Sequence, residues 1–187
     1  MASNPVVDPQ QWVSLYADYL YSYAFARLDN EEQVRDLVQE TFLAALEKID
    51  QFKGNSSERT WLTAILKYKI IDVYRKKNSG LQAERVEREP ELEFFESDNG
   101  HWKEAYSPQT LGIENSDPLV NKELGFILQK CFQKLPSLWF SVFTMKHMDE
   151  LATEMICKEL KVSPSNFWVI IHRAKLNLRA CIQKAWL

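Results

Sequence analysis

Glycine, histidine and cysteine are scarce in this chain. Its 187 residues hold five glycines, three histidines and three cysteines. No Gly-rich run suited to cradling a phosphate occurs, His101, His147 and His172 complete no metal-ligand cluster, and no Ser/Cys-His-Asp arrangement is identifiable. An enzyme is therefore the least supported class, and no cofactor or metal is expected. Cys131, Cys157 and Cys181 are odd in number, widely spaced and without a CxxC pair, so buried free thiols are expected in preference to metal or redox roles. Long apolar runs are missing too: no stretch approaches the roughly 20 consecutive apolar residues of a membrane span. The opening MASNPVVDPQ lacks a basic segment followed by an apolar run, so no secretory signal is read there. Cytoplasmic residence is the default expectation.

What is present is a helical pattern with an uneven charge. Hydrophobic residues make up 45% of the chain, enough for packed cores, and the formal net charge is −3. That sum conceals a division. Residues 1–80 carry 10 basic and 11 acidic groups, residues 81–120 carry 3 and 10, and residues 121–187 carry 10 and 5, giving −1, −7 and +5. Since non-specific DNA affinity comes largely from neutralised phosphates, such a chain should bind free DNA poorly without a larger partner.

Three helices are expected over residues 9–78. Asp8-Pro9 starts the first, with Trp12, Leu15, Tyr16, Tyr19, Leu20, Tyr23 and Phe25 on a broad apolar surface, most of it core. Asn30 with Gln33 resembles a capping box opening the second. There Val34, Val38, Phe42, Ala45 and Ile49 give a buried face, while Asp36, Glu40, Leu43 and Glu47 lie along a mostly acidic one. A turn from Phe52 to Thr60 leads into the third, whose apolar stripe is Leu62, Ile65, Leu66, Ile70 and Val73. Trp61, Tyr68 and Arg75 recur on a different face of it, and Lys67, Lys69, Lys76 and Lys77 make it locally basic. Residues 79–117, glycine- and proline-bearing and acidic, read as a flexible linker, although Phe94, Phe95, Trp102 and Tyr106 point to docking of some part of it. Asp117-Pro118 opens a second domain of four helices, residues 118–187, so the fold class is all-α with two small domains.

Within that second domain, residues 153–175 have the form of a helix-turn-helix. A helix ends near Leu160, Lys161-Val162 turns, and Ser163-Pro164 opens the next helix with a cap and a first-turn proline. Such a helix enters the major groove by its N-terminal turn. Ser165, Asn166, Trp168 and Val169 would then meet base edges, and Arg173, Lys175 and Arg179 would meet phosphates. Phe167, Ile170, Ile171, Ala174, Leu178 and Ile182 form its buried stripe.

Asp36-Leu37-Val38-Gln39-Glu40-Thr41-Phe42, Phe52-Lys53-Gly54, Thr60-Trp61-Leu62, Ile71-Asp72 and Arg75-Lys76, in this order and spacing, resemble region 2 of the sigma-70 family, in its short extracytoplasmic-function (ECF) form. Leu135-Pro136, Glu154-Met155-Ile156, Val162-Ser163 and His172-Arg173-Ala174 resemble region 4 of the same family. The resemblance implies a sigma factor that binds core RNA polymerase and recognises −10 and −35 promoter elements. Asp36, Gln39, Glu40 and Leu43 would face the clamp helices of the largest polymerase subunit, against the alternative of a solvated helix face. For the −10 strand, Asn55, Ser56 and Ser57 would offer hydrogen bonds, Trp61, Tyr68 and Tyr74 rings, and Lys67, Arg75 and Lys76 phosphate contacts. Trp61 is equally readable as core. Tyr68 stands where the family commonly has Asn, so base preference there is open. For the −35 duplex the matching set is Ser163, Ser165, Asn166, Trp168, Val169, Arg173 and Lys175. Leu138, Trp139, Phe140 and Phe143 belong either to the core or to a surface for the flap of the second-largest subunit. The acidic linker would suit a basic channel of the polymerase, and an anti-sigma factor is a further partner the resemblance admits.

Two other functions compete. A free-standing helix-turn-helix repressor or activator would need strong DNA binding alone, which the charge balance opposes. A helical adaptor would capture polymerase without reading promoters.

Overall fold

A computed structural model of the chain describes residues 8–28, 30–79, 94–96, 101–110 and 118–186. Among these residues run seven α-helices: α1 (Trp12–Phe25), α2 (Glu31–Glu47), α3 (Glu58–Asn78), α4 (Pro118–Gln133), α5 (Ser137–His147), α6 (Thr153–Leu160) and α7 (Pro164–Trp186). The chain divides into two compact units, Met1–Lys76 and Lys77–Leu187.

Local chemistry sets the helix starts of the first unit. The Asp8 carboxylate accepts from the Gln10 amide at 3.1 Å across a short 3₁₀ turn, Pro9–Gln11, ahead of α1. Asn30 accepts from the Gln33 amide at 2.9 Å, and Glu31 and Glu32 sit in the first turn of α2, where the helix dipole favours anions. Trp12, Leu20, Val34, Val38, Phe42, Leu62, Leu66 and Ile70 are buried together as the core. Burying each such side chain contributes roughly 1.5–3 kcal/mol. Glu58, the first residue of α3, accepts from the Trp12 indole at 3.1 Å and from the Tyr16 hydroxyl at 3.3 Å, which ties the start of α3 to α1. The apolar surface of α1 is less buried than its pattern suggests: Leu15, Tyr19 and Phe25 are exposed. One helix packed on one side cannot bury a stripe that wide.

In the second unit α7 is the hub, with α4, α5 and α6 all packed against it. Phe167, Ile170, Ile171, Ala174 and Leu178 are buried on α7, against Trp139, Val142 and Met145 of α5 and Ile156 and Leu160 of α6. The expectation of three free thiols does not hold. Cys131 of α4 and Cys181 of α7 form a disulfide, and only Cys157 is free. Separation along the chain hid the pair, because two helices lying side by side bring together residues 50 positions apart.

Part of the expected linker is folded onto this unit. Phe95 and Trp102 form an isolated antiparallel bridge, with the Glu96 amide donating to the His101 carbonyl at 2.8 Å and the Lys103 amide to the Phe94 carbonyl at 3.0 Å. Phe94 is only 3% exposed and meets the edge of Tyr106 at 5.1 Å. The Arg179 guanidinium of α7 lies over the Trp102 ring at 5.2 Å, and the Gln183 amide donates to the Ser107 carbonyl at 3.1 Å. These residues form an aromatic strap across α7. The rest of the linker, with the expected cap Asp117, lies outside the described residues.

Candidate nucleic-acid and partner interfaces

The structure brings the four expected partner-binding residues of α2 onto one solvent-facing strip. Asp36, Gln39, Glu40 and Leu43 recur three, four and seven positions on from the first, and all are exposed. Leu43, at 61% exposed, and Leu46, at 45%, add an apolar centre to an otherwise acidic strip. Leu46 was not anticipated, although its spacing of three from Leu43 was the available signal. Lys69 of α3 donates to the Glu40 carboxylate at 2.9 Å and so orients it without covering it.

The turn before α3 is held open by backbone geometry. Gly54 has φ of 69°, in the left-handed region that a side chain disfavours, and Asn55, Ser56 and Ser57 are exposed beyond it. The Ser57 hydroxyl accepts from the Thr60 amide at 3.2 Å, so it caps α3 as well as facing solvent. Trp61 is half-buried, 4.9 Å from Phe52 and 5.9 Å from Trp12 between ring centroids. It is therefore a core ring with one accessible edge. Tyr68, two turns along the same face, is 68% exposed. Arg75 and Lys76 are exposed, Lys67 is half-buried, and Arg75 donates to Asp72 at 2.8 Å. Arg59, exposed beside this turn with its guanidinium over Tyr19, is a cation that the sequence reading passed over. Tyr74 is withdrawn from the set. It is 1% exposed, and its hydroxyl donates to the Arg27 carbonyl at 2.7 Å.

The helix-turn-helix forms as expected. Lys161 takes the left-handed conformation (φ 54°, ψ 41°), the Val162 amide donates back to the Cys157 carbonyl at 3.0 Å, and buried Val162 anchors the turn. The Ser163 hydroxyl accepts from the Asn166 amide at 3.3 Å and caps α7. Ser165 is exposed and Asn166 half-buried. Trp168, 58% exposed, stands edge-on to buried Phe167, and Val169 is exposed beside it. This leading surface is apolar at its centre and polar at its start. Lys175 is exposed farther along.

Arg173 needs correction. At 3% exposed it is buried, so its guanidinium is not on the outer face with Lys175. Arg179 is exposed, though the strap's Trp102 engages it. His147, its ring tilted against Phe143 at 4.6 Å, is held below its ordinary pKa, first by partial burial and then by the positive charges of Lys175 and Lys146. Trp139 is buried and Phe140 and Phe143 half-buried, with Phe132 against both of the latter rings, so much of that aromatic set is core. Among the described residues no group of three or more His, Cys, Asp or Glu could hold a metal ion, and no helix is long and apolar enough to cross a membrane.

Comparison with known proteins matches this arrangement to one family. The sigma-70 region 2 family matches residues 12–80, which is the first unit with the end of α3. A probable RNA polymerase sigma factor of Haemophilus influenzae is 34% identical over 165 residues, covering 88% of this chain and 84% of the relative. The ECF sigma factor SigW of Bacillus subtilis is 30% identical over 170 residues, covering 89% of this chain and 84% of the relative. Among solved structures, the sigma factor RpoE of Bartonella quintana, crystallised with the anti-sigma factor NepR, is similar over 93% of this chain and 96% of that one, at 17% identity and a TM-score of 0.45. The chain belongs to the sigma-70 family of RNA polymerase sigma factors. SigW, which covers both units, is of the extracytoplasmic-function type, and this chain belongs to that type of transcription initiation factor.

Proposed function

We propose that this sigma factor docks on core RNA polymerase through the α2 strip and reads a two-part promoter with α3 and α7. In this reading Asp36, Gln39, Glu40, Leu43 and Leu46 meet the polymerase clamp, where their charge favours rate and orientation of docking. The turn at Asn55, Ser56 and Ser57, with the free edge of Trp61 and with Tyr68, receives the unstacked −10 strand, and Lys67, Arg75 and Lys76 follow its phosphates. Stacking one base on an aromatic ring returns about 1–3 kcal/mol, comparable to the cost of taking it from the duplex. The first turns of α7 enter the −35 major groove with Ser163, Ser165, Asn166, Trp168 and Val169, and Lys175 contacts phosphate. Arg173 has no part in it. An anti-sigma factor, as the family resemblance admits, would act by covering one of these surfaces.

The observation that carries the reading is that the α2 strip, inside the segment matching sigma-70 region 2, presents Asp36, Gln39 and Glu40 to solvent around an exposed Leu43. Run-off transcription with core polymerase on fragmented genomic DNA tests it. Discrete start sites that share two spaced motifs are expected. Initiation that occurs equally with and without this protein, beside a working control sigma factor, would refute it.

A further inference from the structure

The Cα atoms of Cys131 and Cys181 lie 5.8 Å apart, within the range that a disulfide bridges without backbone movement. In a secreted protein such a bond is an ordinary staple. Sigma factors work on RNA polymerase, among the reducing thiols of the cell interior, where disulfides are typically transient and either catalytic or redox-sensing. Position matters as much as compartment. Cys131 is 2% exposed, whereas Cys181 is partly exposed, so Cys181 is the more accessible residue of the pair. Both cysteines line one groove of about 770 Å³ whose other walls include Phe94, Trp102 and Tyr106 of the strap. The bond is thus part of the seat on which the strap rests.

We propose that Cys131 and Cys181 form a reversible dithiol–disulfide site, with a peroxide as oxidant and a dithiol as reductant, whose state sets whether the aromatic strap stays seated on α4 and α7. In the oxidising direction the Cys181 thiolate attacks a peroxide oxygen, giving a sulfenic acid and releasing one water after protonation. The Cys131 thiol then displaces the sulfenic hydroxyl, which leaves as a second water, and the S–S bond forms. Two thiols lose two electrons and two protons, and hydrogen peroxide takes them up as two waters. In the reducing direction a thiolate of the dithiol attacks the Cys181 sulfur, and Cys131 leaves as a thiolate and is protonated. The second thiol of the reductant then releases Cys181 and carries away the disulfide. Cys157 is a poor competitor: burial, and then Glu154 beside it, raise its thiol above the ordinary value. Unseating the strap would also release Arg179 from Trp102 and return a cation to the outer surface of α7.

The test uses the full chain, treated either with one equivalent of hydrogen peroxide or with dithiothreitol. Alkylation and intact mass should count one thiol per chain in the oxidised form and three in the reduced form. Hydrogen exchange is then followed at the Glu96 and Lys103 amides, whose bonds close the strap. These amides should exchange on the order of tenfold faster after reduction. Cys181→Ser should show the fast rate under both treatments, while Cys157→Ser keeps the full response. A thiol count that stays the same under peroxide and dithiothreitol would overturn the proposal, as would equal exchange of the two amides in wild-type protein in both states. The wild-type comparison decides the matter even if Cys181→Ser does not fold.

Discussion

The two units of this sigma factor are held together by different chemistry. In the first, rings and carboxylates cross between helices: Trp12 and Tyr16 donate to Glu58, and Tyr74 donates to the Arg27 carbonyl. In the second, a covalent bond joins α4 to α7 and an aromatic strap lies over the junction. Their working surfaces differ as well. The α2 strip is acidic around a leucine, whereas the leading face of α7 is apolar around a tryptophan. The contrast teaches that one short chain can hold a unit without cysteine and a unit whose helices are joined by a disulfide.

Truncating Trp12 gives the largest way to break that contrast. Trp12→Ala removes a ring that is 1% exposed and leaves Glu58 without its indole donor, so the first unit should lose about 3–5 kcal/mol. Reducing the Cys131–Cys181 bond, which closes a 50-residue separation, should take about 2–4 kcal/mol from the second unit alone. Calorimetry of the two unfolding transitions distinguishes them, and a reductant that lowers both equally would erase the difference between the units.

Trp168→Ala sharpens the contrast in function. The ring is 58% exposed, so stability should change by less than about 0.5 kcal/mol. Lost base contact of about 1–3 kcal/mol should lower run-off transcription roughly 5- to 150-fold. Unchanged transcription from a two-element promoter would remove α7's front from promoter reading.

A smaller change separates packing from hydrogen bonding in the first unit. Tyr74→Phe keeps the ring and leaves the Arg27 carbonyl without this donor, at a cost of about 1 kcal/mol by urea denaturation. The smallest effect is a pH slope confined to the second unit. His147 is depressed in the folded state, so as pH falls below its ordinary value of 6.5 the unfolded chain takes up the proton first. The second unit is therefore fully stable above that pH and weakens below it. His147→Gln should flatten the slope in a melting series. The first unit has no histidine, which makes it the internal reference.

What could be read from the sequence was local. Asp8, Asn30 and Ser163 start helices as expected, because a cap needs only its own next few residues. Part of the α2 strip was legible for the same reason, since spacing puts Asp36, Glu40, Leu43 and Glu47 on one side, while Gln39 entered only through the family resemblance. The failures all concern which helix lies beside which. Arg173 sits next to a recognisable apolar stripe, but it is buried in the folded chain, which its spacing along α7 does not reveal. Tyr74 was placed among the outward rings, yet the carbonyl that receives its hydroxyl lies 47 residues earlier in the chain. Cys131 and Cys181 carry no local mark of their pairing, and the strap's aromatic residues announced docking but not the place.

The turn at Lys161 also bears on time. Connections of three residues after α6 and five after α5 let α5, α6 and α7 meet through contacts close in sequence, and helical domains built that way assemble within microseconds to milliseconds. The strap closes across 76 residues, from Gln183 back to Ser107, and must wait for the helices that form its seat. The turn between α6 and α7 therefore closes through local contacts, whereas the strap closes through distant ones, and the lengths of the loops set that difference.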